Sequence, residues 1–274
     1  MTIFQAAVLA VVQGVTEFLP ISSSAHLALT PWLLGWEDQG LTFDIALHFG
    51  TLCAVAIYFF RDWVQLTAQA FGIAYSPDPL LAKNRYLLWW LAAASVPVGV
   101  VGLTLKDYAE TTLRNPWVIG SMLIGVGLLM GYADRIGKRV KRFDSLTFGD
   151  AMAIGAAQAL AVIPGTSRSG ITITVGMFRH LDRAAAAHFS FLLSTPAVAA
   201  AAAKAFLELR EAGGVPAAMV APFVTGIVVS ALTGIVVIAF LLKFLRNNTL
   251  QGFVIYRVIF GIMVIALAFF RGPQ

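Results

Sequence analysis

Charge is scarce in this chain. Only 12% of its 274 residues are Asp, Glu, Lys or Arg, about half the share in a soluble domain. Nineteen basic and fourteen acidic side chains cannot coat a globule of this length, and 59% of the residues are hydrophobic. Most of the surface must face a solvent other than water, and lipid is that solvent. A soluble enzyme and a disordered chain are excluded. Cysteine is scarcer still: Cys53 is the only one, which excludes a disulfide scaffold. The net charge of +5 points to topology before nucleic acid, because Lys and Arg set the orientation of a membrane protein. The start, Met1 to Gln5, lacks a basic segment, so no cleaved signal peptide is expected.

What is present is long apolar runs. Six suit spanning helices: 45–60, 86–105, 116–133, 184–207, 216–242 and 252–270, each near the length a bilayer requires. Two further apolar regions are interrupted. Residues 1–34 contain Glu17, Pro20 and Ser22-Ser23-Ser24. Residues 147–178 contain Pro164, Gly165, Ser167, Arg168, Ser169 and Gly170. Irregular backbone at membrane depth survives only where protein buries it or where it lines a cavity. Both regions therefore read as re-entrant, broken helical hairpins.

The predicted fold is an all-α polytopic membrane protein forming a single integral membrane domain over 1–274. Each repeat is a broken hairpin plus three transmembrane helices, repeat 1 at about 1–134 and repeat 2 at about 147–271. Three crossings leave a unit on the side opposite its start, so the topology is inverted. Gln13 to His26 resembles Gln158 to Gly170, and Phe43 to Thr51 resembles Phe189 to Pro196. Twelve basic residues fall in one set of loops: Arg61, Lys83, Arg85, Arg135, Lys138, Arg139, Lys141, Arg142, Arg179, Arg183, Lys243 and Arg246. The other side has Lys106, Arg114, Arg210 and Arg271, with Glu37, Asp38, Asp44, Asp107, Glu110, Glu208 and Glu211. The positive-inside rule places the twelve in the cytoplasm. The first hairpin then enters from outside, and nucleic acid is not an expected partner.

Few charges remain at membrane depth: Glu17, Arg168 and Arg257, with Lys204 and Asp150 near helix ends. Intramembrane ionisable groups mark functional sites by default. Glu17 and Arg168 lie in matching breaks, which inverted repeats bring together. The expected cavity is lined by Gln13, Glu17, Ser22, Ser23, Ser24, His26, Ser167, Arg168, Ser169 and Thr172. Helix N-termini after the serines, hydroxyl donors and a guanidinium fork suit an anion, above all phosphate. Glu17 suits that site if a divalent cation bridges it to phosphate. His26 could act as acid, base or nucleophile. Together they suggest metal-assisted phosphoryl transfer. Plainer readings stand beside these: a buried ion pair, an interior histidine, serines that satisfy broken backbone. Arg257 reads equally as a partner of carbonyls. His48 and Asp44 read as structural or peripheral, His180 and His188 as bland, and Gly226, Ser230 and Gly234 as a packing face.

The motifs Gln-Gly-Val-Thr-Glu-Phe-Leu-Pro-Ile-Ser-Ser-Ser-Ala-His (13–26) and Pro-Gly-Thr-Ser-Arg-Ser-Gly (164–170) resemble the two signatures of the undecaprenyl-pyrophosphate phosphatases of the bacitracin-resistance type. Residues 43–51, 189–196 and Tyr256-Arg257 extend the resemblance over nearly the whole chain. It implies a bacterial plasma-membrane hydrolase that converts undecaprenyl pyrophosphate to undecaprenyl phosphate and inorganic phosphate. That would recycle the lipid carrier for peptidoglycan synthesis and confer bacitracin resistance. It further implies Mg²⁺ or Ca²⁺, an outward-facing site and a homodimer.

By position, Glu17, Ser23, His26 and Arg168 match the family's catalytic residues, and Glu17 its metal ligand. Gln13 stands where many members have a second carboxylate. Gln13, Ser22, Ser167, Ser169 and Thr172 correspond to substrate contacts. Either Ser23, activated by His26 or Glu17, attacks the terminal phosphorus, or water does. A lipid-carrier flippase is the rival, since broken helices and inverted repeats also build transporters. A second membrane phosphatase pattern, Ser-Arg followed after five residues by His, fails because Thr174 stands at that position.

Overall fold

Apolar runs punctuated by polar, Gly and Pro residues become twelve α-helices in the computed structural model, which describes residues 1–37, 40–211 and 213–271. The charge assignment for Asp38, and those for the side chains of Lys106, Asp107, Glu110, Glu208 and Arg271, lie outside the described residues. The helices are α1 (Ile3–Phe18), α2 (Ser23–Leu34), α3 (Gly40–Tyr58), α4 (Phe60–Ala70), α5 (Pro79–Ala82) and α6 (Leu87–Thr111). Then come α7 (Pro116–Ile136), α8 (Phe148–Gln158), α9 (Arg168–Phe178), α10 (Arg183–Glu211), α11 (Ala217–Asn247) and α12 (Gln251–Arg271). No strand occurs among the described residues; Lys141 and Leu181 form an isolated bridge.

Helices α6, α7, α10, α11 and α12 are long and apolar enough to cross a bilayer. They overlap five of the expected spans. The sixth differs. Helix α3 stops at Phe59, which leaves helical geometry at φ −97° and ψ 22°. The chain resumes as α4, and the two helices are bent by 70°. Arg61 and Asp62 thus open an amphipathic helix instead of a loop. Gln65 and Leu66 are buried on its inner side, while Phe60 and Val64 are exposed.

The interrupted regions form two helical hairpins, and local chemistry explains their limits. Thr2 and Gln5 make a capping box at the start of α1, with bonds of 2.8 and 3.1 Å. Thr147 and Asp150 make one at the start of α8, at 3.0 and 3.2 Å. Each satisfies two otherwise orphaned N–H groups. Pro20, which has no N–H to continue a ladder, follows the end of α1. A 3₁₀ turn at Ala159–Val162 follows α8. The second arms resume after Ser22 and Ser167, whose φ angles are +78° and +67°.

Packing sets the arms against full spans. Helix α1 lies on α11 and α8 lies on α6. Helix α3 touches α10 and α11, α9 touches α7 and α10, and α7 runs along α12. The stripe Gly226, Ser230 and Gly234 is a close-packing face, as its spacing predicts. Ser230 Oγ donates to the Leu47 carbonyl at 3.1 Å. A Cβ on Gly226 would stand 2.9 Å from Leu47 Cδ2, and one on Gly234 would stand 2.8 Å from Phe18.

Four of the twelve basic residues expected in one set of loops, Arg139, Lys141, Arg179 and Arg183, pair with two buried carboxylates. Asp134 accepts from Arg183 Nε at 2.5 Å, from Leu250 N at 3.0 Å, and pairs with Arg139. Asp150 accepts from Lys141 Nζ and Arg179 Nε, both at 2.8 Å. Burial pushes the Asp150 carboxyl up, but the bonds from Lys141, Thr147 and Arg179 outweigh it and hold it down at about 2. His188 bonds Asp62 at 2.7 Å and stacks between Phe59 and Phe143, so it buttresses the α3–α4 bend.

Candidate active site

The breaks are held before any ligand is considered. Arg257, on α12, is completely buried. Its guanidinium donates to the carbonyls of Pro20 at 3.1 Å and of Gly165 and Thr166 at 3.0 Å each. It also donates to Leu123 O at 3.1 Å and Met122 O at 3.2 Å on α7. One side chain therefore satisfies carbonyls from both breaks, which are buried and would be costly to leave unpaired. Of the two readings open for Arg257, the structure supports the partner of carbonyls. Gly165, at φ +88°, passes so close to α7 that a Cβ would meet Ile119 Cα at 2.9 Å.

Around this clamp the structure brings Gln13, Glu17, Ser23 and Arg168 together. Glu17 comes from the last turn of α1 and is almost wholly buried. Its Oε1 accepts from Arg168 Nη2. Its Oε2 accepts from Ser23 Oγ at 2.6 Å and from Gln13 Nε2 at 3.0 Å. Arg168 Nη1 also donates to Ser194 O at 3.3 Å. Ser23 and Arg168 are the residues that directly follow the positive-φ serines. Such backbone costs of order 1–3 kcal/mol and concentrates at functional sites.

The other expected lining residues have different partners. Ser22 Oγ pairs with Ser24 Oγ at 3.2 Å. Ser167 Oγ accepts from Gly170 N at 3.1 Å and caps α9. Ser169 Oγ donates to Leu19 O at 3.1 Å, tying one break to the other. Thr172 is buried and bonds Arg168 O at 2.7 Å and Ser190 Oγ at 2.6 Å. His26 is turned toward α12. Its Nδ1 donates to Ser22 O at 2.7 Å, its Nε2 is 2.6 Å from the Tyr256 hydroxyl, and its ring stacks on Phe260.

Sequence reasoning read His48 as structural or peripheral and gave Ser194 and Tyr256 no individual role. His48 Nε2 stands 3.6 Å from Glu17 Oε2. The signal was available, because His48 and Ser194 lie in the two segments 43–51 and 189–196 that resemble each other. Beside the ion pair is a small cleft lined by Glu17, Phe18, Thr51, Leu52, Val55, Arg168, Ser194 and Val198. One end is polar and the other aliphatic, which suits an amphiphile with an anionic head.

Among the described residues no three His, Cys, Asp or Glu side chains form a metal-binding group. Oxygen ligands are nonetheless present. Gln13 Oε1 is buried without a hydrogen-bond partner, while Nε2 of the same amide bonds the Glu17 carboxylate. A hard divalent cation needs only one or two carboxylates when substrate phosphates and water complete its shell, and amide oxygens also serve. The donor set therefore fits Mg²⁺ or Ca²⁺.

Comparison with known proteins gives a consistent result. The sequence profile of the bacitracin resistance protein BacA matches residues 6–263. The undecaprenyl-diphosphatase of Desulforudis audaxviator is 48% identical over 270 residues, covering 98% of this chain and 99% of that protein. That of Thermodesulfovibrio yellowstonii is 44% identical, covering 98% of each chain. That of Moorella thermoacetica is 43% identical, covering 99% of this chain and all of the relative.

Proposed function

The chain belongs to the bacitracin resistance protein BacA family, and from that membership we propose how its two breaks perform the reaction. The protein is a hydrolase of the lipid carrier: it converts undecaprenyl pyrophosphate to undecaprenyl phosphate and inorganic phosphate. One observation carries the residue-level reading: the carboxylate, hydroxyl and guanidinium of Glu17, Ser23 and Arg168 are bonded together between the breaks.

The pyrophosphate enters the polar end of the cleft, with its tail toward Leu52, Val55 and Val198. Arg168 exchanges part of its contact with Glu17 for phosphate oxygens and neutralises them. Electrostatic positioning of this kind supplies most of the catalysis in phosphoryl transfer. Glu17 Oε2, already accepting the Ser23 hydroxyl, takes its proton. Ser23 Oγ bonds to the terminal phosphorus as the bridging P–O bond breaks, and undecaprenyl phosphate departs. Water then cleaves the phosphoserine, restoring the hydroxyl and freeing phosphate. Both nitrogens of His26 are engaged by Ser22 and Tyr256, which favours Glu17 as the base. Glu17 and Gln13 are the residues that would hold a divalent cation. When bound, it supplies positive charge to the phosphate oxygens.

The inverted repeat and the orientation belong to the same proposal. The capping boxes at Thr2 and Thr147, the glutamines 13 and 158, and the positive-φ serines 22 and 167 are offset by one constant spacing. Basic residues gathered around Asp134 and Asp150 support a cytoplasmic end. The active site then opens to the outer face of a bacterial plasma membrane. A homodimer follows from the resemblance; sedimentation in detergent tests it. Phosphate release by purified protein in detergent micelles, with and without EDTA, tests the chemistry. A pure flippase releases none, and EDTA should stop the release.

A further inference from the structure

We infer that His48 is a ligand of the divalent cation in this chain, completing with Glu17 and Gln13 a set that takes Mn²⁺ more tightly than Ca²⁺. The inference rests on the phosphatase site proposed above and extends it by one residue. Helix α3 carries His48 one turn before Thr51 and Leu52, which line the cleft. His48 Nδ1 donates to Asp44 O at 2.7 Å. That bond orients the ring and, in the neutral imidazole, leaves the lone pair on Nε2. Metal-ligating histidines characteristically anchor their other nitrogen in this way.

Nε2 faces Glu17 Oε2 across 3.6 Å. That is too long for a hydrogen bond. Two ligands bonded at about 2.0–2.2 Å to one ion stand roughly 3–4 Å apart at ordinary coordination angles. The gap therefore matches the space of a shared cation. Gln13 supplies an independent observation. Its Nε2 is committed to Glu17, so its Oε1 is left buried and unpartnered. A buried acceptor without a donor is costly, and a cation removes the cost. With Gln13 uncharged, the set has one carboxylate, one amide oxygen and one imidazole. Carboxylates and carbonyls suit Ca²⁺ and Mg²⁺, while an imidazole shifts preference toward transition metals.

The test is Mn²⁺ binding to the purified full-length protein in detergent, read by electron paramagnetic resonance. Pulsed spectra of the wild type should show nitrogen coupling from a bound imidazole. His48→Gln should lose that coupling and bind Mn²⁺ about tenfold more weakly, while His26→Gln should keep it. Mn²⁺ should also resist displacement by Ca²⁺ in the wild type. Bound Mn²⁺ without nitrogen coupling overturns the assignment, as does unchanged affinity in His48→Gln. Either result leaves the phosphatase reading intact if the same wild-type sample releases phosphate. The nitrogen signal comes from the wild type, so it does not depend on the variant folding. If Glu17→Gln keeps both affinity and coupling, the cation lies elsewhere and the assignment fails.

Discussion

The two hairpins begin alike and end differently. Each opens on a threonine capping box, carries a buried glutamine near the end of its first arm, breaks, and resumes after a serine at φ near +70°. The glutamines have opposite fates. Gln13 bonds Glu17, whereas neither side-chain polar atom of Gln158 has a partner. The positions after the strained serines also differ: Ser23 in one hairpin, Arg168 in the other. Backbone geometry occurs twice, but the chemistry is divided, with acid and hydroxyl from the first hairpin and cation from the second. On the proposed reading a working site needs both breaks, and Arg257 bonds carbonyls of both.

That division is most directly broken at its charged pair. Arg168→Ala and Glu17→Ala should each lower phosphate release about a thousandfold or more, with monodisperse elution and helical content retained. Ser23→Ala should fall as far if Ser23 is the attacking group. Full activity in the Arg168 or Glu17 variant would falsify the assignment of the pair. The shared clamp comes next. Arg257→Met leaves carbonyls of Pro20, Gly165 and Thr166 without their donor, so stability should drop by about 1–3 kcal/mol for each one left unsatisfied. Thermal unfolding in detergent reads this. Arg257→Lys should recover only part of the loss, because an ammonium cannot span both breaks with a planar fork.

A third test separates the starts of the hairpins. The first capping box uses uncharged Gln5, and the second uses Asp150, held at about 2 against the burial that would raise it. An unfolded aspartate titrates near about 3.9. The folded value is lower, so the contribution is complete above about pH 4 and is lost as pH falls through about 2. Acid should therefore loosen the start of α8 and leave the start of α1 unchanged. Proteolysis or exchange mapped to the two segments between pH 5 and pH 2 distinguishes them, and equal loosening would refute the difference. Asp150→Asn should remove the pH dependence.

Much of this could be read without coordinates, because membrane depth makes polar punctuation conspicuous. Ser22, Pro20, Gly165 and Arg168 stand out in apolar surroundings, so the breaks and the Glu17–Arg168 pairing were visible. The α3–α4 bend was not. Residues 60–70 mix Arg61, Asp62, Gln65 and Gln69 with apolar residues, a pattern that reads as loop until a protein face buries Gln65 and Leu66. Arg257 was visible as a buried charge, but its partners are carbonyls, which no sequence distinguishes. The different surroundings of His26 and His48 were hidden for a related reason. Both anchor Nδ1 on a carbonyl four residues back. Which group then meets Nε2, Tyr256 for one and Glu17 for the other, is decided by helices far apart in the chain.

The smallest predicted difference concerns the two serines themselves. Ser167 Oγ accepts from Gly170 N at 3.1 Å and caps α9, whereas Ser22 makes no side-chain cap for α2. Both residues already bear the cost of positive φ, and alanine would bear a similar one, so a Ser→Ala comparison isolates the cap. Ser167→Ala should cost about 1 kcal/mol, and Ser22→Ala only a few tenths of that. Paired unfolding curves in one detergent measure the gap. Equal losses would mean that the hairpins differ in catalytic side chains but not in how their second arms begin. A gap of the expected sign would mean that the arm bearing Arg168 is the more firmly fixed, as the proposed mechanism asks of a cation held opposite a reacting hydroxyl.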